Sequence, residues 1–69
     1  MKLAPNGKPK PTLKLVGEDG NVMFIVARAR RVMREAGWTD DEIVEYTEEA
    51  LSGDYDHALQ VTMRYTDVE

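Results

Sequence analysis

The sequence predicts a small α+β domain, mainly α: three short helices with a small two-stranded terminal sheet and a disordered N-terminal arm. Three observations carry that expectation. Apolar residues recur at helical spacing in three stretches, each bounded by capping and stop residues. The alternating stretch Thr12-Leu13-Lys14-Leu15-Val16 is rich in strand formers but cannot satisfy its own backbone groups alone. Ahead of it, Pro5, Pro9 and Pro11 lack amide donors and exclude a helix or a central strand.

In chain order, residues 1–11 are expected as a flexible Pro/Lys-rich arm and residues 12–69 as one globular domain. After the strand, Gly17-Glu18-Asp19-Gly20-Asn21 is a dense turn signal, with Asn21 placed to N-cap the next element. A first helix runs from Val22 to Ala36 and stops at Gly37. Val22, Ile25, Val26, Ala29, Val32, Met33 and Ala36 fall on one face, with Arg28, Arg30, Arg31 and Arg34 opposite. Met23 and Phe24 break this pattern and need a cover: the strand, the last helix or another molecule.

The second helix opens with Thr39 as cap, Glu42 as its capping-box partner, and Trp38 and Ile43 at the hydrophobic-staple positions. Ile43, Tyr46, Thr47, Ala50 and Leu51 form its inner face; Asp41, Glu42, Glu45, Glu48 and Glu49 form the outer one. Gly53 is expected as a left-handed cap after it. The last segment has two patterns. Asp54 can cap a helix with Tyr55, Ala58, Leu59, Thr62, Met63 and Thr66 inside, yet Leu59, Val61, Met63 and Tyr65 also alternate as in a strand. The helix, from 55 to about 65, is favoured, with Thr66-Asp67-Val68 then free to run beside Leu13 to Val16.

Composition excludes several kinds of function. With 69 residues, one core has to suffice, and such a core rarely supplies more than about 3–5 kcal/mol. The absence of cysteine removes disulfides, thiolate metal sites and thiol catalysis, and a single histidine cannot build a multi-histidine metal site. No apolar run suits a secretory signal or a membrane span, so a cytoplasmic protein with no membrane partner is expected. Asp54-Tyr55-Asp56-His57 is the one cluster that looks like a site. On a helix, however, adjacent side chains diverge, and Asp54 and Asp56 are explained by the cap and the helix dipole. Glu18-Asp19-Gly20-Asn21 matches part of a calcium loop but lacks its spacing and terminal glutamate. The Gly17–Gly20 spacing before a helix would suit an anion, were Glu18 and Asp19 not there to repel it. Ser52 has no histidine in a triad arrangement. No enzyme and no cofactor are expected.

Charge is the most informative feature. Residues 1–34 carry eight Lys and Arg against Glu18 and Asp19, and residues 35–69 carry eleven acids against Arg64 alone, so +6 and −10 sum to the net −4. Two plain solvated faces would explain this, since exposed pairs contribute only about 0–1 kcal/mol each. Alternatively, one face meets a charged macromolecule. The arginines could grip phosphates, but an acidic chain without a nucleic-acid motif argues against it. The acidic helix could instead dock on a basic protein.

The phrases Lys14-Leu15-Val16-Gly17-Glu18-Asp19-Gly20-Asn21 and Ser52-Gly53-Asp54-Tyr55-Asp56-His57 resemble those of a widespread uncharacterised family of short bacterial and phage proteins. Its members are also similar in the arginine-bearing helix that ends at Ala36-Gly37. The resemblance spans residues 12–69 and carries no catalytic residue across. It implies a bacterial or mobile-element origin and a small regulatory or inhibitory role, for instance against a host nucleic-acid-handling system. The expected function is therefore a non-catalytic interaction module acting on an unidentified protein, with nucleic acid as the second choice of partner. The candidate interaction residues are Arg28, Arg30, Arg31, Arg34, Asp41, Glu45, Glu48, Glu49, Met23 and Phe24. A monomer or weak homo-oligomer is expected, the latter hiding Met23 and Phe24.

Overall fold

Both ends of the domain meet in a parallel pair of two-residue strands, β1 (Thr12–Leu13) and β2 (Asp67–Val68), seen in a computed structural model that describes residues 2–15 and 21–69. Expectations that fell on Val16 and on residues 17–20 lie outside the described residues. Thr12 pairs with Asp67 and Leu13 with Val68, and the ladder is extended by Asp67 N–H to Pro11 O (2.9 Å) and Glu69 N–H to Leu13 O (2.8 Å). The expected second strand beside Leu13 is thus present. It gives the short N-terminal strand the partner its backbone requires.

Between the strands lie α1 (Val22–Glu35), α2 (Asp40–Ala50) and α3 (Tyr55–Tyr65), each packed on the other two. The fold is α+β and mainly α, as expected. Asn21 caps α1, its side chain accepting from the Met23 amide at 2.9 Å. The helix ends in a Schellman arrangement: Gly37, at φ 87°, donates to Arg34 O, and Trp38 donates to Met33 O, both at 3.0 Å. That left-handed turn folds Trp38 back into the core, where it is only 6% exposed.

The capping box at the start of α2 is complete, with Glu42 N–H donating to Thr39 Oγ1 (3.2 Å) and Thr39 N–H to Glu42 Oε1 (2.8 Å). Gly53 is not the left-handed cap expected after α2. Among the described residues only Gly7 and Gly37 have positive φ, and α2 is capped at Leu51 in a right-handed conformation. Gly53 serves another purpose: a Cβ there would stand 2.8 Å from the His57 ring. Asp54 caps α3 by accepting from the His57 amide at 2.9 Å, and α3 remains helical up to Tyr65.

The core is formed by Leu13, Val26, Ala29, Met33, Trp38, Ile43, Tyr46, Ala50, Ala58, Val61 and Tyr65, joined by Ala4. Three aromatic side chains make its hub. Tyr65 stands edge-on to Tyr46 with centroids 5.3 Å apart, and tilted to Trp38 at 6.3 Å. This hub corrects the inner face expected for α3. Val61 and Tyr65 are buried, whereas Tyr55 and Met63 are 40% and 51% exposed. Leu51 and Ala36, also expected inside, are exposed as well.

Residues 2–11 add no helix and no strand to the sheet, as their prolines require. Leu3 and Pro9 form an antiparallel bridge, Ala4 N–H donates to Lys8 O (2.8 Å), and Ala4 is buried at 5% exposure. Three lysines tie this loop to the rest of the fold: Lys8 to Glu42 of α2 (2.6 Å), Lys10 to Met63 O of α3 (2.8 Å) and Lys2 to Asp67 of β2 (3.5 Å). The segment lies on the domain and closes on its own backbone, an option that the exclusion of helix and central strand had left open.

Candidate charged surfaces

The outer side of α2 is a helix face of carboxylates. Asp40, Asp41, Glu45, Glu48 and Glu49 are all exposed there. Glu42 alone is drawn away from this set, by Lys8. That hydrogen bond, helped by the Thr39 amide, holds the Glu42 carboxyl below its ordinary value. Among the described residues no lysine or arginine pairs with the other five. The nearest cation-forming group is His57, whose Nε2 lies 3.5 Å from Glu49 Oε2. Within this acidic face stand two exposed apolar side chains, Val44 at 50% and Leu51 at 42%. They are seven residues apart, so they share one side of the helix, with Glu48 between them. The sequence reading placed Leu51 inside and did not single out Val44. The signal available was Val44 itself, an apolar residue on the polar arc of α2.

His57 does not form a site with Asp54 and Asp56. Its ring turns back across Gly53 to the end of α2, with Nε2 3.0 Å from Glu49 O and 3.2 Å from Ser52 Oγ. Asp54 is occupied by the helix cap, and among the described residues no three acidic or histidine groups could hold a metal ion.

On α1 the four arginines are exposed, as expected, but they do not form one set. Helical spacing puts Phe24, Arg28, Arg31 and Glu35 on one stripe and Met23, Ala27, Arg30 and Arg34 on the next. The first stripe runs beside β1. There a groove of about 330 Å³ is lined by Thr12, Leu13 and Lys14 from the strand region and by Arg28, Arg31, Val32 and Glu35 from the helix. Arg28 lies over the Phe24 ring, 5.4 Å from its centroid, and Arg31 Nε donates to Glu35 at 3.4 Å. Arg30 and Arg34 do not line the groove. Met23, at 55% exposure, and Phe24, at 37%, are not covered by the strand or by α3. Lys14 belongs to the alternating stretch of the sequence but is not among the candidate interaction residues. Its place on the strand, alternating with buried Leu13, is the signal that turns it to the outside with Thr12.

Among the described residues, the acidic and basic blocks of the sequence meet in ion pairs, though not between α1 and α2. Ion pairs among the described residues join Arg31 to Glu35 within α1 and the N-terminal lysines to Glu42 and Asp67, but none joins α1 to α2. The chain matches no protein-family model, no curated protein and no solved structure.

Proposed function

We propose that this chain is a non-catalytic interaction module that docks the outer face of α2 on a basic protein surface. One observation carries the reading: the outer side of α2 holds five carboxylates with no lysine or arginine partner among the described residues, and the exposed Val44 and Leu51 stand beside Asp40, Asp41 and Glu48. Interfaces of specific complexes combine apolar anchors with a charged rim, and charge complementarity guides the encounter. A solvated helix that had only to stay soluble would not need two apolar side chains among its acids. The bacterial or phage origin implied by the resembling phrases fits a small regulator of this kind. A host nucleic-acid-handling protein, whose basic surface normally receives phosphates, is the partner class that such an acidic face suits.

Quantitative affinity capture from a bacterial lysate tests this, comparing the natural chain with E45K/E48K/E49K. Proteins with basic surfaces are expected on the natural chain and to be lost, about tenfold or more, from the charge-reversed one. The same proteins captured equally by both would overturn the proposal.

A further inference from the structure

The groove between β1 and α1 has a composition that the docking role of α2 does not use. Lys14, next to β1, and Arg28 and Arg31, from α1, come to it, while Glu35 is its one carboxylate among the described residues, which leaves those residues an excess of two positive charges. Two of the three cations are already held in place, Arg28 by the Phe24 ring and Arg31 by Glu35. A guanidinium carries five donors, so the bond to Glu35 leaves most of those on Arg31 available. Beneath the cations the lining is apolar, supplied by buried Leu13 and half-buried Val32.

We propose that this groove binds a phosphate monoester, with Lys14, Arg28 and Arg31 on the phosphate and the organic body of the ligand against half-buried Val32. The charge selects the ligand class. A phosphate monoester carries about −1.5 to −2 at pH 7, which matches the excess in the groove, whereas a carboxylate supplies half as much. Planar guanidinium groups bind phosphate oxygens in pairs, and a lysine adds a point charge. At about 330 Å³ the groove is larger than a phosphate alone requires and falls at the small end of the usual range for ligand sites. It is open to solvent, so binding is expected to be modest and to weaken as salt rises.

The monoester has two sources, a free nucleotide-like metabolite or the phosphorylated end of a nucleic acid. Titrations of the full-length ¹⁵N-labelled chain, read by amide shifts, separate them. Adenosine 5′-monophosphate is expected to give saturating shifts centred on Thr12, Lys14, Arg28 and Arg31, and unphosphorylated adenosine none. R28Q/R31Q should weaken binding about tenfold or more, while R30Q/R34Q, which removes the same charge outside the groove, should change it less than about twofold. All four side chains are exposed, so both variants keep the fold, which circular dichroism checks. Equal losses in the two variants, or adenosine binding as well as its monophosphate, would overturn the proposal. A 5′-phosphorylated hexanucleotide that binds where its unphosphorylated form does not assigns the source to nucleic-acid ends. Binding by adenosine 5′-monophosphate and by neither oligonucleotide assigns it to a free metabolite. Both oligonucleotides binding equally well would make the phosphodiester backbone the ligand and reject the monoester site.

Discussion

Tyr46 and Thr62 face each other across the α2–α3 contact with no exposure to water, their hydroxyls 2.7 Å apart. Each is the other's hydrogen-bond partner, so removing one leaves a buried polar group unsatisfied, at a cost of about 1–3 kcal/mol. Y46F and T62V are each expected to lower stability by that order. The double variant should lose clearly less than the sum, because both polar groups then disappear together. Urea unfolding of the four proteins measures this, and strict additivity would show that the hydroxyls do not depend on each other. Burial also raises the ionisation of Tyr46 above its ordinary value of 10.0, and that of Tyr65 by burial first and then by Glu45 and Glu49. Below pH 10 both tyrosines are neutral in the folded and unfolded chain. Above it the unfolded chain gives up protons that the folded one retains, so stability falls as pH rises, and Y46F should soften the fall. The sequence placed both Tyr46 and Thr62 inside correctly. It erred on Tyr55 and Met63, because the apolar positions of α3 span more than one possible arc. The choice is made by Tyr65, whose ring is held between Trp38 and Tyr46 from elsewhere in the chain.

Helix ends were legible where their partners are local. Thr39 and Glu42 satisfy each other within one turn, so their spacing alone specifies the capping box. The end of α2 is different, since one of its last carbonyls, Glu49 O, is met by His57, eight residues further on, as well as by Ser52 nearby. Gly53 is there to let that ring pass, and a sequence pattern sees only a glycine after a helix. G53A should therefore push the ring off Glu49 O and Ser52 and cost about 1–2 kcal/mol, the scale of a lost cap. With His57 already replaced, in H57A, the same G53A change should cost little. Thermal melts of the four combinations check this, and an equal penalty in both backgrounds would return Gly53 to a conformational role. The arginines of α1 teach the same lesson. Their number and their division into Arg28 with Arg31 and Arg30 with Arg34 follow from helical spacing, but which pair lines a groove depends on where β1 lies.

For the molecule as a whole, the N-terminal loop and the terminal strands decide how the chain is closed. Proline content predicted an arm because it excludes regular structure, and a loop held by its own bridge needs none. Deleting residues 1–9 removes Ala4 from the core along with the Lys8–Glu42 pair. A loss near 1 kcal/mol lowers the melting temperature by roughly 4–8 °C in a domain of this size, and differential scanning calorimetry of the truncated chain should show a fall of that order. An unchanged melting temperature would show that the loop contributes nothing. The pairing of Thr12 with Asp67 has a consequence in time. Helices α1 to α3 gain their first contacts from neighbours in the chain, but the sheet joins residues 55 positions apart. On a ribosome, β1 is made early and must wait for Asp67, Val68 and Glu69 to emerge before its backbone groups find their partners. Until then Leu13, which ends at 1% exposure, has an incomplete cover. The strand made after all three helices is thus the one that seals the first part of the fold.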